Sequence, residues 1–259
     1  MTDFHSVALV TGGASGLGYA SAAHLASTGF RVVVLDRSER AASKAAEQLG
    51  VGHLSFCVDV TSEEAVERTI AEIVGKCGRL DVAISAAGIP DSFNATVDQD
   101  VDDWRRLIDV HLTGSYLIAR AAGRQMLRQG SGAIVQFSSV AGVSGLPRRN
   151  AYTAAKTGII GLTRSLACEW AQSGVRVNAV LPGYIETPFV EQLASEGKLD
   201  RDVLRRRTPM GRLGRPEDIA QAVGFLCSSA AAYITGIVLP VDGGWCAYGA
   251  AGDASVLDD

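Results

Sequence analysis

Seven short runs of β-branched and apolar residues, separated by longer amphipathic stretches, constrain this chain more than any other feature. The runs are Val7–Val10, Arg31–Leu35, His53–Val58, Val82–Ser85, Ala133–Phe137, Val175–Val180 and Ile237–Val241. Most are apolar at consecutive positions, the pattern of strands covered by helices on both faces. Helical stretches lie between them, among them Gly16–Ser27, Glu63–Lys76, Trp104–Arg128 and Tyr152–Ala171. This alternation predicts an α/β fold, a doubly wound parallel sheet of about seven strands with helices on both faces. No Pro/Ser-rich linker, charge block or repeat divides the 259 residues, so one domain is expected. An insertion-like segment at Thr187–Arg215 and a flexible tail over 246–259 stand apart from the pattern.

Composition removes whole classes of function. The chain is 47 % hydrophobic and 20 % charged, which excludes a disordered polymer. Its 29 glycines keep no period of three, which excludes collagen. A net charge of −4 lacks the basic excess of a general nucleic-acid binder. The five cysteines have no CxxC spacing, and Met1–His5 lacks a basic, signal-like start. A reduced, cytoplasmic protein follows from these readings. The four histidines form no metal-ligand spacing, so no metal is expected. Ile219–Val241 is uncharged and long enough to span a bilayer, but Gly236, Pro240 and several polar residues interrupt it. A buried helix followed by a buried strand explains it better.

The first strand runs into Thr11-Gly12-Gly13-Ala14-Ser15-Gly16-Leu17-Gly18, and a helix follows. Glycines there let a pyrophosphate approach the backbone at the positive end of the helix. Asp36 ends the second strand, eighteen residues past Gly18. A carboxylate at that point accepts hydrogen bonds from the ribose hydroxyls and repels a 2′-phosphate. NAD is therefore expected ahead of NADP, with Arg37 as the one nearby group able to pair with a phosphate.

Tyr152 and Lys156 stand four residues apart on one predicted helix face, and Ser139 ends a predicted strand thirteen residues upstream. A neighbouring cation lowers the pKa of a phenol, which would make Tyr152 a proton carrier. Together these residues resemble the short, single-domain, NAD-preferring branch of the short-chain dehydrogenase/reductase family. The likeness runs from Val7 to about Trp245. It includes Asp59-Val60, Asn178-Ala179-Val180-Leu181-Pro182-Gly183, Arg215-Pro216-Glu217-Asp218 and Val241-Asp242-Gly243-Gly244.

The resemblance implies a Rossmann-type fold and a hydride-transferring enzyme. Ser139 would polarise the substrate carbonyl, Tyr152 would be the acid/base, and Lys156 would tune it and hold the nicotinamide ribose. Gly12, Ser15, Gly16, Leu17, Gly18 and Asp36 would bind the cofactor, with Asp59 and Val60 at the adenine. Ala86, Ala87 and Gly88 would allow its close approach, and Pro182, Gly183, Ile185 and Thr187 would hold its nicotinamide end. Two positions depart from the family pattern: Ser85 and His111 stand where asparagine is usual. His111 either takes over the asparagine's implied part in holding a water that links the lysine to solvent or, as a titrating group near the reacting centre, adds a rate dependence around pH 6–7. The resemblance also implies a homotetramer, with Trp104–Arg128 and Tyr152–Ala171 meeting across a two-fold.

Arginines crowd the region beyond Thr187: Arg201, Arg205, Arg206, Arg207, Arg212 and Arg215, with Arg148 and Arg149 just before Tyr152. Such a run is a solvated face, a subunit contact or, through Arg149 or Arg205–Arg207, an anchor for an anionic substrate. The expected activity is NAD-dependent interconversion of a secondary alcohol (polyol, sugar or hydroxy-acid-like) and its ketone. A 3-oxoacyl-(acyl carrier) reductase and a catalytically silent nicotinamide-binding regulator are the alternatives.

Overall fold

The computed structural model describes residues 6–255. Met1–His5 and the last four residues of the expected tail lie outside that range. Seven parallel strands form one sheet in the order β3-β2-β1-β4-β5-β6-β7. They are β1 Ser6–Thr11, β2 Phe30–Asp36, β3 Leu54–Cys57, β4 Val82–Ser85, β5 Gly132–Phe137, β6 Val175–Pro182 and β7 Val238–Val241. The continuous apolar runs have a simple cause. In β1, Val7 and Leu9 enter one core while Ala8 and Val10 enter the other. In β2, Val33 and Leu35 part from Val32 and Val34 in the same way.

Helices α1 Gly16–Ser27, α2 Glu39–Leu49 and α9 Pro216–Cys227 cover one face. Helices α3 Glu63–Cys77, α5 Gly114–Gln129 and α6 Asn150–Trp170 cover the other. The oxygens of Ser38 and Ser62 accept backbone N–H groups at the starts of α2 and α3. The expected Trp104–Arg128 helix begins three residues earlier and carries a π-helical turn in its middle. It comprises α4 Val101–Ile108, capped by Asp100, a π-helical turn Asp109–Thr113, and then α5. Short helices α7 Pro188–Ser195 and α8 Arg201–Arg207 form the segment after β6, and a bridge between Ile185 and Gly214 closes its neck.

Two further expectations are corrected. The stretch after α9 is less buried than expected, because β7 is an edge strand and Tyr233 is fully exposed. The tail, through Ser255, is tied to α8 rather than loose. Arg206 pairs with Asp253, and its carbonyl accepts the N–H groups of Ala254 and Ser255. Arg207 stacks on Trp245 and Tyr248 and donates to both their carbonyls. Among the described residues no helix is long and apolar enough to cross a membrane, and no group of His, Cys, Asp and Glu could hold a metal.

Candidate active site

The sheet order reverses between β1 and β4, so their carboxyl ends diverge and open a crevice. Thr11 fastens its floor: its hydroxyl donates to the Ile84 carbonyl and accepts from the N–H groups of Ala86 and Ala87. The resulting cleft holds about 440 Å³. At one end lie Gly12, Ser15, Gly16, Leu17, Gly18 and Asp36, and Ala86, Ala87 and Gly88 run from there toward His111.

This end fits a dinucleotide. A Cβ on Gly18 would stand 2.2 Å from the Gly12 carbonyl oxygen, and one on Gly12 2.8 Å from the Ala87 Cα. The loop therefore lies flat against its neighbours. Gly16 has a left-handed φ of +53° and open space where a side chain would project. Unlike α2 and α3, α1 has no side-chain cap, and its first-turn residues line the cleft. Its N-terminal donors are thus available to an anion.

At the other end the structure gathers Ser139, Tyr152, Lys156, His111 and Arg149, with Pro182, Gly183, Ile185 and Thr187 along the side. Ser139 emerges from the end of β5, while Tyr152 and Lys156 lie on the first two turns of α6. Asp59 and Val60, the expected adenine contacts, do not line the cleft. Asp59 accepts hydrogen bonds from the backbone N–H and hydroxyl of Thr61, and Val60 packs against Gly114. Sequence reading missed Phe137, Leu146, Tyr184, Phe189, Leu193 and Leu199, which give the far end an apolar wall. For Tyr184, Phe189, Leu193 and Leu199 the available signal was their position after Pro182-Gly183, with Phe189 and Leu193 on amphipathic α7.

Electrostatics alter two expectations. Burial raises the Tyr152 hydroxyl above the ordinary phenol range, and the Asp91 carboxylate acts in the same direction. Hydrogen bonding with Ser139 and the charge of Arg149 pull it down. Lys156 is itself pushed down to about 7 by desolvation, and its Nζ donates to the Phe137 carbonyl at 2.7 Å. Its Nζ lies 5.5 Å from the Tyr152 ring centroid.

His111 sits in the π-helical turn, buried edge-on to Tyr152 with ring centroids 5.3 Å apart. Its Nε2 lies 3.1 Å from the Ile89 N–H nitrogen and 3.0 Å from the Ile89 carbonyl oxygen. Burial and the charges of Lys156 and Arg149 hold its pKa down at about 3, against the opposing backbone bond to Ile89. It is therefore neutral throughout the working range, and the expected titration at pH 6–7 does not arise from it. Protonation begins only as pH falls toward 3. Accordingly, His111→Asn is expected to leave the shape of the kcat/KM profile between pH 5.5 and 8 unaltered. Loss of an inflection near 6.5 in that variant would contradict this.

Of the readings open for the arginine-rich segment, the ion pairs support a solvated face rather than a substrate anchor. Arg201 pairs with Glu186, Arg205 with Asp202, Arg206 with Asp253 and Arg212 with Asp218, while Arg207 is engaged by the tail. None of these side chains lines the cleft. Arg149 does, and it is the arginine whose position matters to the site.

A sequence profile described as enoyl-(acyl carrier protein) reductase matches residues 12–246. The chain is 41 % identical over 253 residues to an uncharacterized short-chain type dehydrogenase/reductase of Sinorhizobium fredii, covering 98 % of this chain and 46 % of that longer protein. The chain belongs to the short-chain dehydrogenase/reductase family. It is 44 % identical to the cis-4-hydroxycyclohexanecarboxylate dehydrogenase of Sinomonas cyclohexanicum, covering 93 % of this chain and 96 % of the relative. With the 3-oxoacyl-[acyl-carrier-protein] reductase FabG of Thermotoga maritima the identity is 37 %, over 92 % and 96 %. The solved structure of ElxO with NADP bound superposes with a TM-score of 0.88 at 32 % identity, covering 94 % of this chain and 99 % of that one. This short-chain dehydrogenase/reductase is thus an oxidoreductase of the CH–OH/carbonyl couple that works with a nicotinamide cofactor.

Proposed function

We propose that the enzyme interconverts a secondary alcohol on an apolar, ring-bearing skeleton with its ketone, using NAD(H). One observation carries the reading: Ser139, Tyr152 and Lys156 meet beneath an apolar wall, at the opposite end of the cleft from the glycine loop and Asp36. A polyol or sugar would find few hydrogen-bond partners on Leu146, Phe189, Leu193 and Leu199, and its hydroxyls would be desolvated without compensation. A ring alcohol suits that wall, and the hydroxycyclohexanecarboxylate dehydrogenase relative supports the choice.

The nicotinamide, when bound, supplies the hydride acceptor or donor. The chain's own residues do the rest. Ser139 fixes the substrate oxygen by a hydrogen bond. Tyr152 takes the hydroxyl proton in oxidation and returns it in reduction. Lys156, Pro182, Gly183, Ile185 and Thr187 hold the nicotinamide end. The glycine loop receives the pyrophosphate, and Asp36 receives the ribose hydroxyls.

The second reading, a 3-oxoacyl reductase, is supported by the likeness to FabG and to the matched profile. The two separate in one experiment. The purified enzyme is mixed with NAD(H) or NADP(H) and with cyclohexanol, 4-hydroxycyclohexanecarboxylate, sorbitol or a 3-oxoacyl thioester, and cofactor absorbance is followed. Turnover of the ring alcohols with NAD is expected. Dominant thioester reduction with NADPH would replace this reading by the second. The intact Ser139, Tyr152 and Lys156 weigh against a silent regulator.

The same reading takes residues 1–259 as one dinucleotide-binding and catalytic domain that assembles as a homotetramer in the cytoplasm. Half-exposed Trp104 and Tyr116 on α4 and α5, and Tyr233 and Ile237 beside β7, supply apolar surface for subunit contacts. Free cysteines are in keeping with a reducing compartment.

A further inference from the structure

The substrate end of the cleft has an apolar wall, and Arg149 is the charge that faces it. Asp36 lies at the far end, and Lys156 is engaged by the Phe137 carbonyl. Arg149 is held from behind. Its Nε donates to Asp91 Oδ2 at 3.1 Å, and Asp91, with its side chain 5 % exposed, lines a separate cavity on the other side. The guanidinium carbon lies 4.6 Å from the ring centroids of both Phe93 and Tyr152. Only the Nε edge is used. Among the described residues, neither Nη of Arg149 has a hydrogen-bond acceptor, and neither is sealed from solvent.

The backbone around this pair is held in an unusual shape. Among the described residues, Phe93 and Arg148 are the two non-glycine residues with positive φ, +62° and +65°. Such conformations persist where surrounding structure enforces them. Gln99 supplies the enforcement, donating from Nε2 to the carbonyls of Asn94 and Arg148. Asn150 adds a bond to Thr96. The planar guanidinium is thus oriented by two rings and a buried carboxylate, with its two-nitrogen fork left for a planar anion.

Resting on the alcohol-dehydrogenase reading above, we propose that Arg149 recognises a carboxylate on the substrate, making the substrate a hydroxy acid. The ring would lie along the apolar wall, its hydroxyl at Tyr152 and its carboxylate on the Nη edge of Arg149. Asp91 aims the guanidinium and, by its own charge, moderates the attraction for the anion.

The test uses the enzyme with its nicotinamide cofactor. Calorimetry measures binding of cyclohexanecarboxylate and cyclohexanol, and steady-state kinetics compare 4-hydroxycyclohexanecarboxylate with cyclohexanol. Arg149→Gln is expected to lower the ratio of acid to alcohol affinity by about 10- to 100-fold, the range of a charge-assisted hydrogen bond, with the kinetic loss mainly in KM. Arg149→Lys keeps the charge without the fork and should lose part of that ratio. Asp91→Asn keeps an acceptor for Nε but removes the opposing charge, so it should tighten cyclohexanecarboxylate by about 3- to 10-fold. If Arg149→Gln does not fold, the other two variants still decide.

Equal losses on acid and alcohol would overturn the proposal and leave Arg149 as a group that only tunes Tyr152. Unchanged ratios in all three variants would overturn it as well. Cyclohexanol turnover without any Arg149 preference for the acid would sink this inference alone. Arg149-dependent binding of cyclohexanecarboxylate, without oxidation of either alcohol, would sink the dehydrogenase reading and the hydroxy-acid substrate with it, while upholding carboxylate recognition by Arg149.

Discussion

Replacing Tyr152 by phenylalanine is expected to lower kcat for alcohol oxidation by about 10²- to 10⁴-fold, the usual contribution of a positioned acid/base. The substitution removes one oxygen and keeps the ring. The edge-on contact with His111 and the stacking of Arg149 both involve that ring, so the cleft should survive. A melting curve checks this, and cofactor absorbance gives the rate. A variant that kept more than a tenth of the wild-type kcat would assign the proton to another group.

The pH dependence follows from the same environment. Burial holds the Tyr152 hydroxyl above the ordinary phenol value, so it is protonated at neutral pH. It is then ready to donate to a carbonyl throughout pH 6 to 8, where Lys156, pushed down to about 7, is the site group whose charge changes. Oxidation needs the deprotonated form and should climb as pH rises. Arg149 and Ser139 pull the hydroxyl down, so removing either should move that climb to higher pH. The climb should be absent in Tyr152→Phe.

Periodicity located the elements well because each strand feeds both cores. Gly16–Ser27 and Val82–Ser85 match α1 and β4 residue for residue. Ser139, Tyr152 and Lys156 were legible for a related reason: a strand end and one helix face put them in the crevice whatever lies between. The π-helical turn was not legible, since Asp109–Thr113 differs from an ordinary turn only in hydrogen-bond register. Its consequence is the burial of His111 against Gly88, where a Cβ would come within 2.5 Å of the imidazole Cε1. A histidine read as a neutral-pH switch is therefore a buried, uncharged ring.

Charge was the least legible property. The run from Arg201 to Arg215 looked like a basic surface, yet beside the local partners Asp202 and Asp218 it pairs with Glu186 and Asp253, well apart in sequence. The Arg149–Asp91 pair spans 58 residues and depends on two left-handed backbones that no glycine announces. Pairing of this kind is a product of the tertiary fold. Adjacent residues along the chain do not disclose it.

On the proposed preference for NAD, Asp36→Ala should shift the NAD-to-NADP ratio of kcat/KM by about 10²- to 10³-fold toward NADP. Two effects add in that ratio. Loss of charge-assisted bonds to the ribose hydroxyls costs about 1.5–3 kcal/mol with NAD, roughly 10- to 100-fold. Removal of a carboxylate from the place a 2′-phosphate would occupy gives NADP about a further tenfold. Exposed Arg37, next along the chain, then has an anion to pair with. The alanine also removes a turn contact, because Asp36 Oδ1 accepts the Ser38 N–H at 3.1 Å. Asp36→Asn separates these causes: it keeps an acceptor for Ser38 and loses only the charge. If electrostatic exclusion dominates, the asparagine variant should gain NADP activity nearly as well as alanine while retaining more NAD activity. The related ElxO is solved with NADP bound, so the proposed preference for NAD rests on side chains at this end of the cleft. A wild-type enzyme that already favoured NADP, and lost nothing on Asp36→Ala, would place that discrimination outside β2.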